Sequence, residues 1–517
     1  MACKKMIEYL EKTSGIFEVR GAAGAGKTYR LIQDINQLSR NSEKIRVISY
    51  SNAAVNEIKT RLLNENVRVS TIHSFCWELM QQVSEKLVQT LYMDPHINLF
   101  KEFQVNDLNS LKRVTYGEFG VERWDQEKGE LYLSHGNVIK LFCESVTKIP
   151  AFRRLLTTSI DYILIDEFQD AAGSFLKSLF KLENEIVIGL YGDPFQTIYL
   201  NKDSIDMHEV RMNHDVTTNR LTCNYRSGRE LVGLFNEVRE KYDGLKQVAK
   251  ILEESEIKVF WGRQELDYQR IKEKIGNISE ECVFLSATNF LRLGLEEEDI
   301  KNSIRKLKKY FNYGWSELVD IDSIPGEANV LFEYSNFLFE NGFESANAMQ
   351  FLFTAESIKN VGFQRIRELR DYMYENKKTD VNILLSKGLT LKKQISEFEE
   401  HINFFDFKEF KAINYLYLNL ENIDKDNLTI YKAKGLEFDN VILNIDTGGF
   451  RQKNWSKVNF NHSENDQREP EDVMNYLFYV GITRAKKRLF IYVNTATTGE
   501  FLSKLKTTFP NLKYIKA

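Results

Sequence analysis

Short apolar runs punctuate this chain, and each ends at polar or acidic residues. The first, Ile16 to Arg20 (IFEVR), leads into the glycine-rich stretch Gly21 to Lys27, after which Thr28 to Leu38 carries its apolar residues at helical spacing. The pattern predicts strand, loop, helix. The same alternation returns at Ile45 to Tyr50 (IRVISY), Tyr162 to Ile165 (YILI) and Ile186 to Tyr191 (IVIGLY). Continuous apolar strands between helices indicate a parallel sheet covered on both faces.

A second set of buried runs, Val283 to Leu285 (VFL), Val441 to Leu443 (VIL) and Leu489 to Val493 (LFIYV), predicts a second sheet built from distant segments. Between its halves the pattern turns charged and helical, as in Asp299 to Tyr310 and Glu356 to Tyr374. Another insertion, with helical stretches and a hairpin-like segment at Trp124 to Leu133, interrupts the first sheet. The expected division is therefore 1–77 with 160–212 for the first core and 78–159 for its insertion. The second core takes 213–290 with 428–517, around a helical insertion at 291–427.

With 517 residues, 43% of them hydrophobic and 12% aromatic, the chain has material for several packed cores. Its net charge of −4 supplies no global attraction for nucleic acid, so any such site has to be a local groove. Five cysteines (Cys3, Cys76, Cys143, Cys223, Cys282) form no CxxC pair, which argues against a zinc ribbon, an iron–sulfur cluster or a disulfide framework. A reduced, cytoplasmic setting is expected. No secretion signal precedes Arg20, and no apolar run reaches the ~18 residues of a membrane span.

Gly21-Ala22-Ala23-Gly24-Ala25-Gly26-Lys27-Thr28 fits GxxxxGK[ST], in which small residues let backbone N–H groups wrap phosphate oxygens at a helix start. Lys27 is expected to reach the β and γ phosphates and Thr28 the Mg2+ ion. Asp166-Glu167-Phe168-Gln169-Asp170 follows YILI, which puts its first carboxylates at the carboxyl end of a core strand. Alone, such a cluster reads as a solvated turn. Beside a phosphate loop it becomes the second half of a nucleotide site, with Asp166 suited to hold Mg2+ and Glu167 to polarise the attacking water.

From Gly21 to Arg488 the motifs resemble those of the UvrD/Rep/PcrA-like helicases of superfamily 1. The DE[FY]QD motif is matched at Asp166 to Asp170, GDPxQSIY at Gly192 to Tyr199 (GDPFQTIY), NYRS at Asn224 to Ser227, AKGLEF at Ala433 to Phe438, and YVGITRA at Tyr479 to Ala485. The resemblance implies an α/β protein of two RecA-like P-loop NTPase cores with parallel sheets, each interrupted by a mainly helical inserted subdomain. It further implies ATP as substrate, with Gln196 and Arg226 on the γ-phosphate, Tyr225 stacked on the base, Gly435 and Glu437 near the nucleotide, and Arg484 as an arginine finger. Two guanidinium groups from the second core can neutralise transition-state charge only when the cores close.

On the DNA side, Ser49 to Ala54 (SYSNAA) resembles TFTNKAA and Ser70 to Phe75 (STIHSF) resembles GTFHSF. Tyr50 thus falls where the family stacks a base, and Asn52, Thr71 and His73 where it meets phosphate. Read without the family, His73 beside Phe75 and Trp77 is a packed core residue, and Tyr50 ends a buried strand. Tyr431 stands where the family has a DNA-contacting His, with Lys432 in place of its Ser. The Lys-rich stretches Ile300 to Lys309 and Lys486 to Arg488 could line a groove, but charged faces are usually only solvated.

Several positions depart from the family. Met1 to Arg20 lacks the glutamine that reads adenine, which leaves ATP against GTP open, and Leu200-Asn201-Lys202-Asp203 replaces a segment whose tryptophan stacks on DNA. Both insertions are short for the family, and no appended nuclease is expected after the last motif. The leading expectation is an ATP- and Mg2+-dependent translocase and helicase on single-stranded or tailed duplex DNA, with 3′ to 5′ polarity implied by the resemblance. The alternative is a regulatory or sensor ATPase beside a nuclease subunit, as in Gabija-like antiphage systems. A third reading, a P-loop NTPase that ignores nucleic acid, would make the Tyr50 and His73 matches accidental.

Overall fold

A computed structural model describes residues 10, 12–40, 44–64, 67–94, 110–116, 123–199, 203–262, 282–287, 306, 326–340, 343–421, 427–446, 455–466 and 472–516. The chain divides into two compact units, Met1–Ala287 with Ala433–Ala517, and Thr288–Lys432.

In the first unit the opening strand β1 (Gly15–Gly21) leads to helix α1 (Lys27–Leu38), β2 (Ile45–Ser49), α2 (Asn52–Arg61), β3 (Arg68–Thr71) and α3 (Ile72–Met80). Side chains start two of these helices: Ser51 accepts from the N–H of Ala54 at α2, and Thr71 from that of Ser74 at α3. After the insertion come β7 (Tyr162–Asp166), α7 (Gly173–Phe180), β8 (Val187–Gly192), α8 (Met207–Asn213) and β9 (Val216–Leu221). The strands form one six-stranded sheet in the order β3-β2-β7-β8-β1-β9, parallel at every pairing.

Neighbouring residues on each central strand face opposite cores, as a two-residue period requires. Ile16, Ile48, Ile163, Ile165 and Leu190 enter one apolar cluster, while Phe17, Val47, Leu164 and Val187 enter the other. The runs are continuous in sequence because both faces are covered.

The insertion supplies α4 (Ser84–Tyr92), β4 (Arg113–Tyr116), β5 (Arg123–Asp125), β6 (Glu130–Leu133), α5 (His135–Lys148) and α6 (Pro150–Ser159). β5 and β6 are antiparallel, and β4 adds to β6 in parallel. Leu131, Leu133, Val138, Leu141 and Phe142 join the same cluster as Ile16 and Ile163, so the insertion shares the core of the first sheet.

The second sheet uses β12 (Glu256–Gly262), β13 (Val283–Ser286), β15 (Phe438–Ile445), β16 (Ala485–Asn494) and β17 (Lys513–Lys516), running β13-β15-β16-β12-β17. A short parallel pair, β10 (Cys223–Asn224) and β11 (Val248–Ala249), stands apart, with α9 (Arg229–Asp243) between them in sequence. α10 (Val473–Ile482) precedes β16 and α11 (Thr495–Thr508) follows it.

One boundary differs from the expected division. Val216–Leu221, assigned to the second core by the break at 212, pairs with β1 along its whole length. Its polar composition (VTTNRL) gave no strand signal of its own, and it lies at the sheet edge, where a strand needs only one partner.

The second unit, taken by itself, is helical over Gly326–Phe339, Phe343–Leu352, Ala355–Val361, Phe363–Glu375, Asn382–Leu385, Glu399–Phe404 and Phe407–Glu421, with strand β14 at Asn427–Thr429. The stretch read as one helical run from Glu356 to Tyr374 is two helices, divided at Gly362, whose φ of +86° an L side chain rarely adopts. Of Ile300 to Lys309 only Lys306 is described, ion-paired to Glu409 at 2.7 Å. The rest, most of Asp299 to Tyr310, and Leu200 to Lys202 lie outside the described residues.

Candidate functional site

Parallel register sets the site. Arg20 on β1 lies opposite Gly192 on β8, and Asp166 on β7 opposite Tyr191, so three strands end at one level and send their loops to one edge. β1 feeds the loop 21–27, and α1 begins at Lys27 directly behind it, with its N-terminus toward the loop.

The loop is compact, with Ala22, Ala23 and Ala25 buried and an Ala25 N–H to Ala22 carbonyl bond of 3.1 Å. Gly24 is required twice over: its φ is +74°, and a Cβ there would meet Arg226 Cβ at 2.8 Å and the Asn224 amide at 2.9 Å. These neighbours fasten the loop. Asn224 and Gln247 both donate to the Ala23 carbonyl, at 3.0 and 3.2 Å, and the Tyr225 N–H donates to the Gly24 carbonyl at 2.9 Å.

Opposite the loop stand the acids. Lys27 Nζ is 3.8 Å from Glu167 Oε1, and Thr28 Oγ1 is 3.5 Å from Asp166 Oδ2. Burial, and then the charge of Glu167, push the Asp166 carboxyl up to about 7. Glu167 behaves oppositely: against burial, the charges of Lys27 and Lys434 hold it below the usual carboxylate range. Its backbone takes the left-handed region at φ 48°, uncommon without glycine, and this turn aims its carboxylate at Lys27 and at the Gln169 amide, which donates to it at 2.5 Å.

Asp166 Oδ1 is buried without a hydrogen-bond partner. A buried acceptor lacking a donor fits a cation, and a hydroxyl with one carboxylate fits Mg2+, which takes few protein ligands and completes its shell with phosphates and water. Among the described residues no cluster of three or more His, Cys, Asp or Glu offers an all-protein cage instead.

The second sheet closes the other side. Lys434 Nζ reaches Asp170 Oδ1 and Oδ2 at 2.6 and 2.5 Å and the Gln196 carbonyl at 2.8 Å. Arg484, buried between α10 and β16, donates to the Val480 and Leu436 carbonyls at 3.0 and 3.2 Å, to Thr483 Oγ1 at 3.1 Å and to Gln196 Oε1 at 3.2 Å. Burial, and then Arg226, draw it below the ordinary guanidinium range. Arg226 donates to Glu437 at 2.6 Å, beside Gly435 at φ +84°. Lys27, Asp166, Glu167, Gln196, Arg226 and Arg484 thus come from both sheets to one place.

Two aromatic surfaces flank this site. Tyr225 is 61% exposed next to the phosphate loop, where Gly26 faces its ring. Tyr50, 43% exposed, stacks on Tyr199 with ring centroids 5.7 Å apart. Asn52 is exposed at the start of α2, while Thr71 and His73 are half-buried at the start of α3. Tyr431, expected at the DNA, is buried beside Leu428, Thr429 and Ile430, and burial pushes its phenol up. Lys486 and Lys487 both pair with Asp439, at 2.9 and 2.8 Å, as a solvated face would.

Reading the sequence overlooked Asp170 and Lys434, although both lie inside recognised motifs, and Tyr199, the last residue of GDPFQTIY. Gln247 and Arg239 had no motif to mark them. Arg239 did carry a weaker signal, since it falls among Leu231, Phe235, Val238 and Tyr242 on the apolar face of α9, where a charge needs a buried partner.

The family model for the UvrD/REP helicase N-terminal domain matches residues 4–132, and that for the UvrD-like helicase C-terminal domain matches residues 356–496. The chain is 25% identical to the Gabija protein GajB of Bacillus cereus, covering 97% of this chain and 72% of that one. It is 24% identical to a probable DNA helicase II homolog of Mycoplasma genitalium, over 92% and 82% of the two chains. It is also 23% identical to the ATP-dependent DNA helicase Rep of Buchnera aphidicola, over 97% and 96%.

Proposed function

The chain belongs to the UvrD-like helicases, ATP-hydrolysing enzymes that act on DNA, and from this premise we propose that it is a Mg2+-dependent 3′ to 5′ translocase and helicase on single-stranded or tailed duplex DNA. The observation that carries the reading is the meeting of Lys27 and Glu167 from one sheet with Arg226 and Arg484 from the other. The 21–28 loop holds the phosphates, and Lys27 places its charge on the β and γ groups. Glu167, kept ionised by Lys27 and Lys434, orients and deprotonates the attacking water. Thr28 and Asp166 would hold the Mg2+, which offsets phosphate charge. Gln196, Arg226 and Arg484 gather the charge of the transition state, and Gly435 and Glu437 flank it. Tyr225 stacks on the base, while Tyr50, Asn52, Thr71 and His73 face DNA.

Hydrolysis is linked to movement because the γ-phosphate site needs both cores. Lys434 ties the second core to Asp170 and Gln196, so a change at the phosphate is felt across the cleft. Strand displacement with 3′-tailed and 5′-tailed duplexes, run with ATP and with GTP, tests polarity and fuel. Lys27→Ala should abolish DNA-stimulated hydrolysis, and wild-type turnover in that variant would sink the assignment.

A second reading has specific support in the similarity to the Gabija protein GajB. There, hydrolysis would regulate a nuclease partner, with little unwinding by this chain. Strong DNA-stimulated hydrolysis without displacement of either duplex is the result that selects it.

A further inference from the structure

Behind Gln196 lies a buried ionic network that joins the two cores. Arg239 on α9, fully buried, donates from Nη1 to Asp193 Oδ2 at 3.2 Å and from Nη2 to Asp193 Oδ1 at 3.1 Å. Its remaining bonds run to the Tyr479 hydroxyl at 2.9 Å and to Asp243, from Nε at 3.2 Å and from Nη2 at 2.7 Å. The network continues through Arg20, the residue before the phosphate loop, which bonds Asp243 at 3.4 Å and Glu464 at 2.7 Å. Burial disfavours a charge on Arg239, but Asp193, Tyr479 and Asp243 more than offset it and hold the guanidinium protonated.

The consequence falls on Gln196. Its Nε2 donates to Asp193 Oδ2 at 2.7 Å, while its Oε1 accepts from Arg484 Nη2 at 3.2 Å. An ionised carboxylate only accepts and a guanidinium only donates, so these two partners permit a single orientation of the amide. Asp193 can fix that orientation only while its Oδ2 stays in place, and the paired donors of Arg239, at 3.2 and 3.1 Å, clamp both of its oxygens. Without that clamp the carboxylate can turn away from Nε2 and free the amide to flip, which would bring its NH2 toward Arg484, where two donors would face each other.

We propose that Arg239 is a positioning residue for hydrolysis: through Asp193 it holds the Gln196 amide with its oxygen toward Arg484. Fully buried, it offers no surface to nucleotide or DNA. The proposal rests on the assignment of Gln196 and Arg484 to the hydrolytic site.

The test compares DNA-stimulated steady-state hydrolysis in Arg239→Met, Arg239→Lys, Gln196→Ala and the double variant Gln196→Ala/Arg239→Met, with melting temperatures alongside. Arg239→Met should lower kcat by about 10- to 100-fold, the usual scale for a residue that orients an active-site group, with KM for ATP within about threefold. Arg239→Lys retains the charge without the two-pronged geometry and should fall between. It also keeps the test open if the methionine variant does not fold. The double variant should be no slower than Gln196→Ala within about twofold, because both changes remove one function. Additive losses, or a loss in Arg239→Met and Arg239→Lys that only follows the folded fraction, would overturn the proposal. Wild-type turnover in Gln196→Ala would instead show that the reading of Gln196 itself is wrong.

Discussion

Replacing Arg484 by alanine separates the catalytic and structural work of one buried side chain. The guanidinium makes four bonds within the protein, to the carbonyls of Val480 and Leu436, to the Thr483 hydroxyl and to the Gln196 amide oxygen. The Val480 carbonyl keeps a second donor, the Thr483 hydroxyl at 3.1 Å, so the loss concentrates on Leu436 and Gln196. At about 1–3 kcal/mol for each of these two groups left unsatisfied, the variant should be destabilised by roughly 2–6 kcal/mol. That is a large part of the ~5–15 kcal/mol of a typical domain but leaves most molecules folded near room temperature. The catalytic loss should be larger in its own measure. An arginine finger is worth about 10³–10⁵ in turnover, or roughly 4–7 kcal/mol of barrier. The assay is single-turnover hydrolysis with saturating single-stranded DNA below the variant's melting temperature, beside equilibrium binding of a non-hydrolysable nucleotide. Turnover should fall by about a thousandfold or more with binding kept within about tenfold. Turnover within tenfold of wild type in a folded protein would refute the reasoning, since Arg484 would then be a core residue that happens to lie beside Gln196.

Gly24→Ala should disable nucleotide binding far more than Gly26→Ala, measured as KM for ATP. Both positions have positive φ, but a Cβ at 24 meets Arg226 and Asn224 within 3 Å, whereas one at 26 has its nearest neighbour, the Tyr225 ring, at 3.8 Å. Asp170 gives a pH signature. Burial raises its carboxyl to about 6 despite the Lys434 pair, so the folded state binds this proton more tightly than the unfolded chain does. The stability of wild type relative to Asp170→Asn should therefore rise as pH falls from about 7 to about 4, and denaturation series showing the reverse slope would contradict it. Tyr50→Ala should weaken single-stranded DNA binding by about 1–3 kcal/mol, a 5- to 150-fold rise in Kd by fluorescence anisotropy. An unchanged Kd would return Tyr50 to a purely packing role beside Tyr199.

The parts of this protein that were legible in its sequence are those whose meaning is local. A phosphate loop needs small residues, a lysine and a hydroxyl in one unbroken string, and the strand and helix around it announce themselves by period, so Gly21 to Leu38 was read nearly as it folds. The acids of Asp166 to Asp170 were equally visible, because they follow an unbroken apolar run and so fall at the carboxyl end of a core strand. What escaped depends on pairing across the chain. β9 is polar and belongs to the first sheet only because β1 offers it an edge. Arg239 is separated by 46 residues from Asp193 and by 240 from Tyr479, and no string search joins them. Its position nonetheless held information. An arginine at core spacing on an amphipathic helix implies an acid waiting inside, since an unpaired charge there would cost more than the helix gains by packing. The acids it finds are Asp243, one turn along α9, and Asp193, the single carboxylate of GDPFQTIY. The residue that looked like an exception to the hydrophobic pattern of α9 is thus what connects that helix to the hydrolytic centre.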